Sequence, residues 1–252
     1  MFERFRAGRS RAEARPAAPA GTRLYAVGDI HGRSDLLRAM HGLILADAAR
    51  RPTPRKLVVY LGDYVDRGND SSGVIELLLN QPLPGFEHVH LRGNHEDILL
   101  TFLDDLSIGP NWLTYGGRET LESYGIAAPE AQAEPAELER AQLALHANLP
   151  RAHLDFLRAL PLAHAEGGYF FVHAGIRPGV PLERQHQDDL LWIREEFLES
   201  QADFGCVVVH GHTITAAPEV RHNRIGVDTG AFFSDHLTCL VAEGGERSFL
   251  QT

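Results

Sequence analysis

The stretch VHLRGNHEDILL, residues 89–100, is an apolar run that stops at Arg-Gly-Asn-His-Glu and resumes with the spacing of a helix. Four other apolar runs end in the same way. RLYAV (23–27) leads into GDIHG (28–32), KLVVYL (56–61) into GDYVDRG (62–68), YFFV (169–172) into HAG (173–175) and CVVV (206–209) into HGHT (210–213). Short continuous runs rich in branched and aromatic residues suit strands buried on both faces. HVHL (88–91), RIGV (224–227) and LTCLVA (237–242) complete a set of seven expected strands.

Between the early strands lie two helical patterns, SDLLRAMHGLILADAARR from Ser34 and SSGVIELLLN from Ser71, with Ser34 and Ser71 or Ser72 expected as N-caps. Alternating strands and helices imply βαβ units with right-handed crossovers and an α/β fold. From about 111 to 160 strand candidates are missing and Ala, Glu and Leu dominate, so a helical cap is expected within one domain spanning 23–252. Inside it, NWLTYGGRETLESYG (111–125) reads as a capped helix packing its Trp on the core, in preference to a substrate rim. Residues 1–22, with several arginines, Glu3, Glu13 and no apolar stretch before a cleavage site, are expected to form a disordered tail.

At 252 residues the chain can bury one sizeable core. A formal net charge of -10, with basic residues concentrated near the N-terminus, argues against broad nucleic-acid affinity. Cys206 and Cys239 sit in apolar runs and form no CxxC pair, which fits reduced core residues of a cytoplasmic protein. No apolar run approaches the roughly 18 residues of a membrane span.

In an α/β sheet the carboxyl ends of the strands share one edge, and ligands bind there. The five polar clusters are therefore expected to converge. Asp29 and His31 lie two apart, so in an extended segment both lean to one side. Asp63 comes from the neighbouring turn with two oxygens that can bridge two cations, and Asn94, His173 and a histidine of HGHT complete a second sphere. Two cations about 3.5–4 Å apart, sharing a carboxylate, make a hydrolytic centre for phosphate esters. Oxygen and nitrogen ligands without thiolate suit Mn best, or Fe or Zn, over Mg or Ca alone.

GDIHG, GDYVDRG, RGNHE, HAG and GHT, in this order, resemble the signature of the PPP family of metal-dependent phosphatases, and within it the bacterial and phage serine/threonine protein phosphatases. The resemblance spans most of residues 23–242. It implies a calcineurin-like metallophosphoesterase fold, a four-layer arrangement of a β-sandwich flanked by helices. It also implies that Asp29, His31 and Asp63 hold the first metal and that Asp63, Asn94, His173 and His212 hold the second. The family pattern selects the histidine after glycine, so His210 is a strand-end neighbour. The wider superfamily has GHxH, and Ile214 stands at that last place, which matches the PPP branch.

By the same resemblance His95 is the general acid, with Asp66 fixing its tautomer, and Arg67 and Arg92 clamp phosphoryl oxygens. Arg194, in DDLLWIREEF (188–197), resembles a lid arginine over the phosphate, or else pairs with the glutamates beside it. The leading functional expectation is a phosphoserine and phosphothreonine phosphatase acting on phosphoprotein by direct attack of water. The alternatives are a symmetrical dinucleoside tetraphosphatase, a phosphotyrosine-preferring variant, and a silent metal-binding scaffold. The cap is expected to discriminate, because a dinucleotide needs a place to stack its bases and a phosphoprotein needs an open groove.

Overall fold

The structure, a computed structural model, describes residues 16–252. Two five-stranded sheets lie face to face. The first has the order β10-β9-β1-β2-β3, with β1 at Thr22–Val27, β2 at Arg55–Tyr60, β3 at Glu87–His90, β9 at Thr238–Glu243 and β10 at Glu246–Gln251. The second has the order β4-β5-β6-β8-β7, with β4 at Ala163–Glu166, β5 at Tyr169–Val172, β6 at Val207–His210, β7 at Glu219–Val220 and β8 at Arg224–Gly226. Strands β1, β2 and β3 run parallel, as do β5, β6 and β8. Each trio therefore ends at a common edge.

All seven expected strands form. Alternating side chains of each central strand divide between two cores, because successive residues point to opposite faces. Leu24, Ala26, Leu57 and Val59 meet Tyr169, Phe171, Val207, Val209 and Ile225 between the sheets. Tyr25, Val27, Val58 and Tyr60 face the helices instead. On the far side, Phe170, Val172 and Val208 pack on Leu190, Ile193 and Phe197. Helices, sheet, sheet and short helices make the four layers of a calcineurin-like fold.

The three strands without a sequence signal are β4, β7 and β10. All sit at or beside a sheet edge, and β10 is mostly exposed, so no apolar run marks it.

Helix α1 covers Ser34–Arg50, α2 covers Ser71–Asn80 and α3 covers Asn94–Asp104. The expected serine caps are not used. Arg33 precedes α1 with no side-chain cap, and Asp70 caps α2 by accepting from Gly73 N at 3.1 Å. Ser34 and Ser71 lie just inside their helices, where Ser34 Oγ donates to Asp70 and Ser71 Oγ accepts from Asp66 N at 3.0 Å.

Residues 111–160 are helical apart from short connections, and the turns at Gly109–Trp112, Leu113–Gly117 and Arg118–Ser123 follow one another without a loop. The middle segment is a kink between two helices, with non-helical backbone at Tyr115 and with Gly116 at φ 111°. Of the expected tail, residues 1–15 lie outside the described residues. Residues 16–21 are not loose: Ala18 is buried and its N–H donates to Gly244 O at 2.9 Å, while Ala17 O accepts from Gly168 N at 2.9 Å. Cys239 is buried in the core as expected, whereas Cys206 is only half-buried; both are free thiols. Among the described residues no helix is long and apolar enough to cross a membrane.

Candidate dinuclear metal centre

The parallel ends of β1, β2, β3, β5 and β6 bring Asp29, His31, Asp63, Asn94, His95, His173 and His212 together, every one of them buried. The turns that carry them are strained. Six described non-glycine residues have positive φ, and five belong to this cluster: His31 (45°), Asp63 (50°), Asp66 (70°), Arg67 (67°) and His212 (61°). Left-handed backbone in such residues is disfavoured and concentrates at functional sites. Asp29 and His31 therefore do not share a side by extended alternation. The chain reverses into a left-handed kink at His31, and that kink aims the imidazole.

Glu96 holds two of the turns in place. Its Oε2 accepts from Asp63 N and Gly93 N, both at 2.8 Å, and its Oε1 accepts from Tyr64 N at 2.7 Å and Val65 N at 3.2 Å. One buried carboxylate thus ties GDYVDRG to GNHE. Gly93 is required for space: a Cβ there would lie 2.1 Å from Asp63 Oδ1.

Hydrogen-bond logic shows what the cluster lacks. A carbonyl only accepts, so His31 donates Nδ1–H to Val65 O at 2.8 Å, which leaves Nε2 a bare lone pair. That Nε2 is buried without a hydrogen-bond partner, 3.4 Å from Asp63 Oδ2. His173 likewise donates Nδ1–H to Leu61 O at 2.9 Å. Its bare Nε2 faces Asn94 Oδ1 at 2.8 Å, His212 Nδ1 at 3.2 Å and Asp63 Oδ1 at 3.4 Å. Asn94 Oδ1 and His212 Nδ1 are 2.9 Å apart. His173 Nε2 with Asn94 Oδ1, and His31 Nε2 with Asp63 Oδ2, set acceptor against acceptor, and in a dry site such pairs repel one another unless cations lie between them. The two oxygens of Asp63 face one group each, the arrangement of a bridging ligand. The donors form one set of His31, Asp63 and His95 and another of Asp63, His173 and His212. The residues present therefore fit two divalent cations.

The electrostatics agree. Burial by itself would raise the Asp63 carboxyl, but His173, His95, His31 and His212 around it hold it well below the usual carboxylate range. Burial pushes His31 and His173 down and His212 down to about 2, towards the neutral form a ligand needs, while the Asp63 carboxylate pulls each the other way. Asp29 lies alongside: its oxygens accept from His212 N at 3.0 and 3.2 Å, and burial, then Asp228 and Asp63, raise its carboxyl.

His95 is set apart by its partners. Its Nδ1 lies 2.6 Å from Asp66 Oδ2, which fixes the tautomer with Nε2 facing the site, 3.9 Å from Asp63 Oδ2. Burial opposes a charge on this ring, yet Asp63 and Asp66 outweigh it and its pKa is raised. Asp66 also accepts from Trp112 Nε1 (3.0 and 3.1 Å) and Thr120 Oγ1 (2.6 Å), both from the helical segment after α3.

The arginines divide. Arg67 Nη2 lies 3.1 Å from His95 Nε2, with its guanidinium 4.8 Å over the Phe232 ring. Arg92 is drawn outward, donating to Arg158 O at 3.1 Å and Asp97 at 3.4 Å. Arg194 is exposed and donates to Thr213 Oγ1 at 3.4 Å, and its charge helps keep His173 and His212 neutral. The glutamate pairing open to it does not form, and Glu196 pairs with Arg177.

Three participants escaped the sequence reading. Asp228 is buried, with its carboxyl raised to about 6 by burial and by Asp63. It follows RIGV and precedes Thr-Gly, the same strand-end pattern as the other clusters, so the signal was there. Trp112 and Thr120 carry no such signal, being 46 and 54 residues from Asp66 along the chain.

This fold and this convergence of lone pairs define a metal-dependent phosphoesterase. Residues 22–232 match the family described as calcineurin-like phosphoesterase, and the chain belongs to that family. It is 28% identical over 235 residues to the asymmetrical bis(5'-nucleosyl)-tetraphosphatase PrpE of Anoxybacillus flavithermus, covering 85% of this chain and 88% of that protein. It is 38% identical over 77 residues to the serine/threonine-protein phosphatase with EF-hands 1 of Rattus norvegicus, covering 29% of this chain and 11% of that protein. Among solved structures, the cold-active protein-tyrosine phosphatase of a psychrophilic Shewanella sp. shares the fold, with a TM-score of 0.54 at 16% identity over 93% of this chain and 83% of the other.

Proposed function

We propose that this protein hydrolyses dinucleoside polyphosphates. The carrying observation is the breadth of similarity. The tetraphosphatase relative matches 85% of the chain, which leaves too little unmatched to omit the helical segment, whereas the serine/threonine phosphatase matches 29%. The expectation that put phosphoprotein first therefore becomes the second reading, supported by the higher identity of that shorter match.

In this reading Asp29, His31 and Asp63 hold one divalent cation, and Asp63, Asn94, His173 and His212 hold the other. Such a pair supplies Lewis-acid charge and lowers the pKa of the attacking water. The chain's own residues do the rest. Arg67, already beside His95 Nε2, takes phosphoryl oxygens by charge-assisted bonds. Arg92 and Arg194 stand on the rim, where each reaches the phosphate only by giving up its present partner. The oxygen of water bonds to phosphorus as the P–O bond to the leaving nucleotide breaks, and His95 Nε2 gives that oxygen its proton. Asp66, held by three donors, keeps the ring oriented.

The test is turnover by Mn-loaded protein of diadenosine tetraphosphate against phosphoserine, phosphothreonine and phosphotyrosine peptides. We expect the tetraphosphate to be cleaved with the higher kcat/KM. Peptide turnover with the tetraphosphate untouched overturns the proposal in favour of the second reading.

A further inference from the structure

Two cavities meet at the Arg67–Phe232 pair. One, of about 690 Å³, is walled by Arg33, Ser34, Asp35, Asn69 and Asp70 and is polar. The other, of about 800 Å³, has Leu113, Tyr115, Ile214 and Phe232 on its walls and Arg118 and Glu119 at its margin. Its size falls in the ordinary range of small-molecule sites.

The apolar cavity is unusual in what it leaves in water. Tyr115 is 55% exposed although Trp112 and Leu113 beside it are buried, and Ile214 is 39% exposed. The break between two helices explains how: the non-helical backbone at Tyr115 and Gly116 takes the phenol off the face that packs on the core. The wall is also fixed to the reactive centre. Arg67 N donates to Gly116 O at 3.1 Å, and a Cβ on Gly116 would lie 2.4 Å from Arg67 N. On the same cavity, the Phe232 ring makes edge-to-face contacts with His31 (5.5 Å) and Phe233 (5.0 Å). The kink at Gly116 is accounted for by its close contact with Arg67, but that contact does not account for the exposure of the Tyr115 ring.

We propose that Tyr115 and Phe232 form the walls of a nucleobase subsite and that Tyr115 determines specificity. This rests on the dinucleoside polyphosphate reading above and assigns the residues that select that substrate. A flat ring seated there stacks on aromatic faces, with the carboxylate of Glu119 lining the cavity beside Arg118, whose guanidinium is held by Pro129 O and Glu130. Phe232 abuts His31 and carries the Arg67 guanidinium, so the subsite adjoins the place where the phosphate would bind, which suits a base joined to that phosphate through ribose.

The experiment compares AMP and orthophosphate as competitive inhibitors of p-nitrophenyl phosphate hydrolysis by the Mn-loaded wild type, Tyr115→Ala and Tyr115→Phe. Both inhibitors present phosphate, but only AMP carries a base. We expect Tyr115→Ala to raise the inhibition constant of AMP about ten-fold or more. That of orthophosphate should shift less than about two-fold, and Tyr115→Phe should restore AMP binding. Equal shifts for both inhibitors, or none for AMP, overturn the subsite while leaving the tetraphosphatase reading intact. Failure of the wild type to cleave diadenosine tetraphosphate overturns that reading, and the subsite's purpose with it.

Discussion

Asn94 and His95 are neighbours in sequence with separate partners. Asn94 presents a neutral oxygen to His173 and His212, while His95 is turned by Asp66 so that its free nitrogen faces the site. Replacing His95 by Asn is expected to lower kcat by about 100-fold or more with metal content unchanged. Elemental analysis checks the second half: lost metal would make His95 a ligand of the His31 and Asp63 set, which its 3.9 Å separation from Asp63 allows. Asp63→Asn should do the reverse and empty at least one metal position, since both its oxygens face lone-pair clusters. Two equivalents of bound metal in that variant would remove Asp63 as the bridge. Both residues were legible as donors in the sequence because each follows an apolar strand. Their partners were not, because a residue's rotamer depends on atoms brought by other elements.

At the scale of elements, the turns from Gly109 to Ser123 do more than cover the core. Trp112 packs on Phe102, with ring centroids 4.6 Å apart, as a core tryptophan was expected to do, yet its N–H is spent on Asp66. Trp112→Phe keeps the ring and deletes the donor. Hydrogen bonds to charged groups contribute about 1.5–3 kcal/mol, but His95 and Thr120 still hold Asp66, so kcat is expected to fall about ten-fold with little change in KM. A stopped assay at saturating substrate reads this, and an unchanged kcat would show that two donors suffice. The expected packing of Trp112 on the core is observed, while Tyr115 of the same stretch stays exposed. Trp112 is buried and Tyr115 exposed three residues later because the kink at Tyr115 and Gly116 breaks the helical phase. Periodicity is blind to such a break.

Across the whole molecule, the α layer is held to the first sheet by apolar contacts that also bury ionisable groups. His41 and His90 flank Tyr60, His41 sharing a hydrogen bond with its hydroxyl at 2.8 Å and His90 stacking on its ring at 4.9 Å. Burial, assisted by neighbouring histidines, pushes both pKa values down to about 4. Below the unfolded value near 6.5 the unfolded chain takes up protons that the folded chain refuses. Their contribution is therefore complete above about pH 6.5 and is lost as pH falls towards 4, on the order of 3 kcal/mol for each residue. Urea midpoints should drop over that window, and His90→Phe, facing Tyr60 and Phe156, should drop less. An identical slope in the variant would show that His90 is not the source.

The sequence by itself determined seven of the ten strands, the α/β class and the edge where chemistry gathers, because continuous apolar runs and the glycine and acid residues ending them are local properties. It also placed the candidate metal-binding donors on that edge, since parallel strands of one sheet end together. Only the tertiary structure decided which lone pairs meet, which arginine reaches His95, that Asp228 and Trp112 belong to the site, and that Tyr115 stands beside it in water. Those facts depend on residues far apart in the chain, on left-handed turns that one buried carboxylate ties together, and on the phase break in a helix. Such features cost free energy locally and persist only because the packed whole over-determines them.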